Sequence, residues 1–346
     1  MKLNKETVMT ALGTVKYPGF SRDIVAFGLV KEVTCDAGAV RVHVQLTSLN
    51  QPVADQLKAE VEKVISQLPG VKSVSVDIAV PAAAATSNPF DQQARVPGIK
   101  HILAIASGKG GVGKSTCSVN LACALKLLGA KVGLLDCDIY GPSIPLMMGI
   151  NQRPYITEDD KLMPPINHGV KLMSIGFLLD SDQPVIWRGP MIVKTIQQFL
   201  TQVAWGDLDY LLVDLPPGTG DAQLTLCQTV PLDGGVVVTT PQEASLAVVR
   251  KGIAMFEKVN VPVIGLIENM SYFIAPSGDR IEIFGHGGGR AVATRKGIPF
   301  LGEVPIYTEI RIGGDQGTPV VVSHPDDAQG QAFITIAKQL RQRFEP

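Results

Sequence analysis

Residues 107–116 read Ser-Gly-Lys-Gly-Gly-Val-Gly-Lys-Ser-Thr. An apolar run, residues 101–106 (HILAIA), leads into them, and an apolar-periodic segment, residues 117–128, follows. This order predicts a strand, a glycine-rich turn and a helix. Gly108, Gly113, Lys114 and Ser115 meet the spacing G-x-x-x-x-G-K-[ST]. The glycines let successive backbone N–H groups curl around an anion, and the following helix points its positive end at the same place. Gly110, Gly111, Val112 and Thr116 complete the cradle. Lys114 is suited to reach the outer phosphates, and the Ser115 hydroxyl to ligate Mg²⁺. A second lysine, Lys109, sits between two glycines, where an ordinary phosphate loop needs none.

Beyond residue 99 apolar strands alternate with helical patterns. Candidate strands cover residues 101–106, 131–136, 170–175, 210–214, 234–240, 261–268 and 299–304. They are continuous apolar runs, as expected where both faces of a parallel sheet are covered. Helical spacing fills the gaps, for example at 191–203, 243–258 and 328–343. The prediction is an α/β domain with a doubly wound, mostly parallel sheet and a site at the carboxyl ends of its strands. The last helix carries Phe333, Ile334, Ile336, Ala337 and Leu340. This stripe suits core packing or a membrane surface, and its few basic residues favour the core.

Three further strand ends carry residues that a phosphate site needs. Asp136-Cys137-Asp138 ends one of them. Two acids there suit Mg²⁺ contact and the positioning of an attacking water; a turn pair before Gly141-Pro142 is the alternative. Asp214 follows apolar residues 210–213 in the Walker-B pattern, which holds Mg²⁺ directly or through water. Four residues on, Gly218 is placed to offer its N–H to a γ-phosphate and to move when that group leaves. Asn269 follows the strand at 263–267. Its amide both donates and accepts, so it suits a base edge, and it suits an ordinary turn as well. His286, in the loop Phe284-Gly285-His286-Gly287-Gly288-Gly289, is a ligand or a solvated histidine. Arg188, in Trp187-Arg188-Gly189-Pro190, is a partner-subunit contact or a surface ion.

The chain has 346 residues, 45% hydrophobic and 18% charged, enough for a large core and about two domains. A formal net charge of −1 gives no general drive toward nucleic acid or an anionic membrane. No apolar stretch is long enough to span a bilayer, and residues 1–10 (MKLNKETVMT) show no secretory h-region. The cysteines are Cys35, Cys117, Cys123, Cys137 and Cys227. They are scattered and form no C-x-x-C, so neither a disulfide framework nor a tetrahedral zinc site is indicated, and a reducing cytoplasm fits. Residues 1–80 alternate helix, strand, strand, helix, strand, as a small α+β domain. The helices are expected at 5–15 and 53–68, and the strands at 25–34, 40–47 and 71–80. Residues 81–98 (PAAAATSNPFDQQARVPG) lack periodicity and read as a linker, which leaves 99–346 for the larger domain.

GKGGVGKST at 108–116, DCDIYGPSIP at 136–145, WRGPM at 187–191, DLPPGTGD at 214–221, ENMSYF at 268–273 and FGHGGG at 284–289 together resemble a known set of signatures. They are those of the Mrp/ApbC family of iron–sulfur cluster carriers. That family lies within the deviant Walker-A ATPases, which include the Min and Par ATPases and nitrogenase iron protein. Residues 1–80 resemble the MIP18-type (DUF59) domain that bacterial Mrp proteins often carry. The resemblance implies a P-loop NTPase domain preceded by a small α+β domain, and a cytoplasmic ATPase acting as a homodimer. It further implies ATP and Mg²⁺ as cofactors, a 4Fe–4S cluster, and iron–sulfur donor or acceptor proteins as partners. It gives Lys109 the role of a signature lysine that crosses a two-fold interface to the other subunit's nucleotide. Lys109, Lys114 and Asp138 are then catalytic, with Asp138 in switch I and Asp214 to Gly218 in switch II. Ser115, Asp138 and Asp214 hold the metal. A Min/Par-like positioning switch is the alternative function.

Family carriers usually continue the ENMSYF motif with C-P-x-C, one pair per subunit holding a bridging cluster. Here residues 274–278 read Ile-Ala-Pro-Ser-Gly. Where many relatives have Cys-Pro in the first domain, this chain reads Asn50-Gln51-Pro52. No iron–sulfur ligand is identified. Cys137 is left as either a sulfur ligand or a small core residue.

Overall fold

The structure is a computed structural model that describes residues 3–16, 23–36, 38–45, 51–79, 95–139, 141–178 and 189–344. It divides into two compact units, Met1–Gln92 and Gln93–Pro346. Most of the expected linker, residues 81–94, lies outside the described residues, as do Asn50, Trp187 and Arg188.

In the first unit the order is α1 (Lys5–Leu12), β1 (Val30–Asp36), β2 (Ala39–Gln45), α2 (Gln51–Ser66) and β3 (Ser73–Ala79). The central strand β2 runs antiparallel to β1 and parallel to β3. Its period-two valines, Val40, Val42 and Val44, are buried against Leu57, Val61 and Ile65 of α2. Asn4 caps α1 by accepting the Thr7 N–H at 2.9 Å. The first strand starts at Val30, later than the apolar pattern at 25–34 suggests. Asp23 Oδ1 accepts the Ala26 N–H at 2.7 Å, and Gly28 adopts φ +68°, so the chain turns before it extends.

The second unit opens with β4 (Ile99–Ser107), α3 (Lys114–Leu127), β5 (Val132–Asp136) and α4 (Ile144–Met147). Three two-residue strands follow, β6 (Tyr155–Ile156), β7 (Leu162–Met163) and β8 (Ile166–Asn167), and then β9 (Val170–Ser174). The chain continues through α5 (Gly189–Gln202), β10 (Leu208–Asp214), α6 (Asp221–Thr229), β11 (Gly234–Thr239), α7 (Glu243–Lys258), β12 (Val263–Ile274) and β13 (Arg280–Ile281). It closes with α8 (Gly288–Lys296), β14 (Phe300–Ile306), α9 (Thr308–Asp315), α10 (Val320–Ser323) and α11 (Ala328–Arg341).

Among the described residues one sheet runs β13-β12-β11-β4-β10-β5-β9-β8, with β14 also on β12. From β14 to β9 every pairing is parallel; β13 and β8 add antiparallel edges. The seven apolar runs of the sequence are these seven parallel strands. Residues 102–106 of β4 are all buried, as a central strand covered on both faces requires. The chain passes from β4 to β5 over the intervening β10, so the ends of these three strands converge where ligands of open α/β sheets bind. Phe333, Ile336 and Leu340 of α11 are buried in contact with α3 and β14, which makes this helix core. No helix among the described residues is long and apolar enough to cross a membrane.

One strand departs from expectation. β12 continues past Glu268 to Ile274, with Met270 at φ +52° and a register shift against β14 between Asn269 and Phe273. A bulge of this kind interrupts pairing without ending the strand. It is pinned by Glu268, which accepts the Ser271 hydroxyl at 2.7 Å and the Gly289 N–H at 2.5 Å.

Candidate functional site

The turn between β4 and α3 needs its glycines for two reasons. Gly111 (φ +79°) and Gly113 (φ +78°) lie in the left-handed region that side chains disfavour. A Cβ on Gly113 would collide with the Asn269 amide, and one on Gly108 would sit 2.8 Å from the Val248 backbone. Gly110 and Gly111 face open space. Ser107 Oγ donates to Lys109 O at 3.0 Å and tightens the bend. No side chain caps α3, so its first N–H groups are left to the concavity of the loop.

Sheet register brings the acids to the level of that loop. Asp214 of β10 pairs with Asp136 of β5 and with Ile105 of β4. Lys114 Nζ donates to Asp214 Oδ2 at 2.5 Å and stands 3.7 Å from Asp138 Oδ2. Ser115 Oγ donates to the same Asp214 oxygen at 2.8 Å, and Ser118 Oγ donates to Oδ1 at 2.5 Å. Lys114, Asp138, Asp214 and Ser118 are buried and Ser115 is half-buried. Two buried carboxylates beside one lysine are tolerable because the ammonium lies between them and both oxygens of Asp214 accept hydrogen bonds. Asp136, the other acid of the pair, is hydrogen-bonded at both oxygens. Its Oδ1 accepts the Asp138 N–H at 3.0 Å and its Oδ2 accepts the Ser174 hydroxyl at 2.8 Å. Burial, with the nearby Asp214 charge, pushes its carboxyl up to about 7. It fixes the turn that carries Asp138. Ser115 Oγ, Asp214 and Asp138 form a set of hard oxygen donors at one point, and that chemistry suits Mg²⁺.

Asn269 is no free turn residue. Its Nδ2 donates to Val112 O of the loop at 2.9 Å. With Thr116, Met270, Pro305, Tyr307 and Ile310 it lines a cavity of about 600 Å³ beside the loop. Gly218 (φ +109°) donates its N–H to Ser107 O at 3.0 Å, so the segment after β10 is tied to the end of β4. Lys109 Nζ donates to Gln242 Oε1 at 3.4 Å, at the start of α7 in the same chain.

The remaining candidates separate from this constellation. His286 is half exposed, 3.1 Å from Arg280 and 3.4 Å from Glu282, a solvated surface cluster. Arg188 lies outside the described residues. Cys137 is fully buried, and burial plus Asp136 and Asp214 hold its thiol well above its ordinary range, so it is a small core residue. Burial pushes Cys117, Cys123 and Cys227 up to about 12. Where family carriers have cysteines, residues 274–280 form a closed turn. Ala275 N donates to Asp279 O at 2.9 Å and Ser277 Oγ to Asp279 Oδ2 at 2.7 Å. Among the described residues no three His, Cys, Asp or Glu side chains group to hold a metal ion, and residues 274–278 offer no thiol for a cluster pair. Sequence reasoning missed Ser118, Ser174 and Gln242. Ser118 alone left a signal, being a serine one helical turn beyond Ser115.

The strand order, the glycine loop and the acids set around its lysine define a P-loop nucleoside triphosphatase. Residues 98–341 match the family described as NUBPL iron-transfer P-loop NTPase, and residues 5–78 match that described as iron-sulfur cluster assembly protein. The chain belongs to the first of these families across its larger unit and carries the second ahead of it. It is 47% identical to the iron-sulfur cluster carrier protein of Synechocystis sp., over 98% of this chain and 97% of that one. It is 49% identical to the iron-sulfur cluster transfer protein NUBPL of Dictyostelium discoideum, over 72% and 78%. Among solved structures, a nucleotide-binding protein of Archaeoglobus fulgidus in complex with ADP superposes with a TM-score of 0.61 at 40% identity, covering 71% of this chain and 96% of that one. The cell division ATPase MinD of Pyrococcus furiosus, at 21% identity and a TM-score of 0.54, shares the fold.

Proposed function

We propose that this chain is a cytoplasmic, homodimeric ATPase that serves iron–sulfur cluster assembly or transfer. The single observation behind the ATPase half is the convergence of Lys114, Ser115, Asp138 and Asp214 on one loop mouth within 3.7 Å of the Lys114 ammonium or of one another. Membership of the iron-transfer family, and the names of the relatives, support the cargo.

The chemistry follows from what each group now holds. ATP enters with its phosphates on the N–H groups of Gly110 to Thr116 and its base toward Asn269 and the adjoining cavity. Lys114 exchanges the Asp214 carboxylate for phosphate oxygens, so one buried charge pair replaces another. Ser115, Asp138 and Asp214 would hold Mg²⁺, which would supply positive charge against the phosphates. Asp138 orients the attacking water as a hydrogen-bond acceptor. Gly218 leaves the Ser107 carbonyl for the γ-phosphate and returns when that group departs. Lys109 leaves Gln242 and reaches the partner subunit's nucleotide, so the site closes only across a dimer. The cluster itself is cargo, and its thiolates come from donor or acceptor proteins because this chain does not supply them at 274–278.

The test is cluster delivery to an apo acceptor from a cluster donor, followed with and without this chain and Mg-ATP. Acceleration by the wild type, lost on Lys114→Ala, is expected. An acceptor that matures at the same rate without the chain would overturn the assignment.

A further inference from the structure

Ser118 lies one turn along α3 from Ser115 and is fully buried. A serine in a helix interior is less favourable than alanine, and its buried hydroxyl must find a partner. This one is 2.5 Å from Asp214 Oδ1 and 3.1 Å from Lys114 O. A hydroxyl has one proton, and the carboxylate at the shorter distance is the stronger acceptor. The other oxygen of Asp214, Oδ2, takes Lys114 and Ser115. In a loaded site both of those donors turn to phosphate and metal. The rotation of an aspartate about its last bond is soft, so a carboxylate that loses two of its partners needs another to hold its plane.

We propose that Ser118 is a positioning residue for the metal site. It anchors Asp214 Oδ1 throughout the cycle, keeps Oδ2 turned toward the Ser115 hydroxyl, and thereby sets the affinity for Mg²⁺. The inference rests on the Mg-ATP reading of the loop. Partners of this kind, which hold a ligand without touching the metal, typically change metal affinity by about ten- to a hundredfold when removed. A serine kept only for packing would change folding stability and leave the metal dependence alone.

The experiment follows N-methylanthraniloyl-ATP fluorescence in the wild type, Ser118→Ala and Ser118→Cys, first in EDTA and then across a Mg²⁺ titration. The cysteine variant keeps the volume and weakens the donor, so the test stands if the alanine variant folds poorly. Expected is an unchanged nucleotide affinity in EDTA, with the Mg²⁺ concentration for half-saturation raised about ten- to a hundredfold in both variants. An unchanged Mg²⁺ dependence, or an equal loss of affinity with and without metal, would overturn the role of Ser118. If the wild type itself shows no Mg²⁺-dependent nucleotide binding, the reading of the loop fails instead.

Discussion

Lys114 and Asp214 form a buried ion pair, with side chains 5% and 0% exposed. Removing one partner of such a pair leaves a charge in a low-dielectric interior, at a cost of about 3–5 kcal/mol. Lys114→Ala is therefore expected to abolish nucleotide binding and to lower the stability of the empty protein by that order, read from urea unfolding. Lys109 differs, because its contact with Gln242 is long and partly exposed. Lys109→Ala should bind ATP as a monomer with unchanged affinity yet fail to dimerise with it, as sedimentation would show. Wild-type dimerisation in that variant would make Lys109 an ordinary loop residue. At this scale the sequence was most readable where one residue type has one use: the loop glycines, Lys114, Ser115 and the Walker-B acid. The hydrogen bonds of Asp136 left no mark in the sequence, because its neighbours, Ser174 and the Asp138 N–H, become visible only when β9 lies beside β5.

Strands of the second unit were legible because burial on both faces writes them as unbroken apolar runs. Their failures were local. Asp23 replaced the expected start of β1 by a side-chain-bonded turn. The bulge at Met270 hid the continuation of β12, since the polar residues Glu268, Asn269 and Ser271 look like a strand end. β6, β7 and β8 are two residues each, too short to leave a period. The helices yield a chemical prediction. With Cys117, Cys123 and Cys227 near 12, about one thiol in 10⁴ is ionised at pH 8, so iodoacetamide should label them only after unfolding, by mass spectrometry. The sign for stability is also set. A thiol whose folded value is raised above its unfolded value contributes below about pH 8.5 and loses that contribution as pH climbs toward 12. Melting temperature should fall across that alkaline window. In α11, Phe333 is fully buried, and Phe333→Ala is expected to cost about 3–5 kcal/mol in chemical unfolding.

At the scale of the molecule, the loop lysine, its serine and two acids gather at one point of this chain, while residues 274–278 carry no thiol. Five cysteines are present; Cys117, Cys123, Cys137 and Cys227 are buried, and Cys35 is half-buried in the first unit. The closed turn after Ile274 carries alanine, proline, serine and glycine where family carriers place a cysteine pair. Motif order announced the ATPase fold and the family, but whether the cargo rides on this chain depends on these few side chains. The most direct measurement is anaerobic reconstitution with iron and sulfide, in which iron and acid-labile sulfide are quantified per dimer in a sample that also hydrolyses ATP. Measurable ATP turnover with no stoichiometric cluster on the isolated protein is the predicted result. A stable cluster of about four irons per dimer would contradict it.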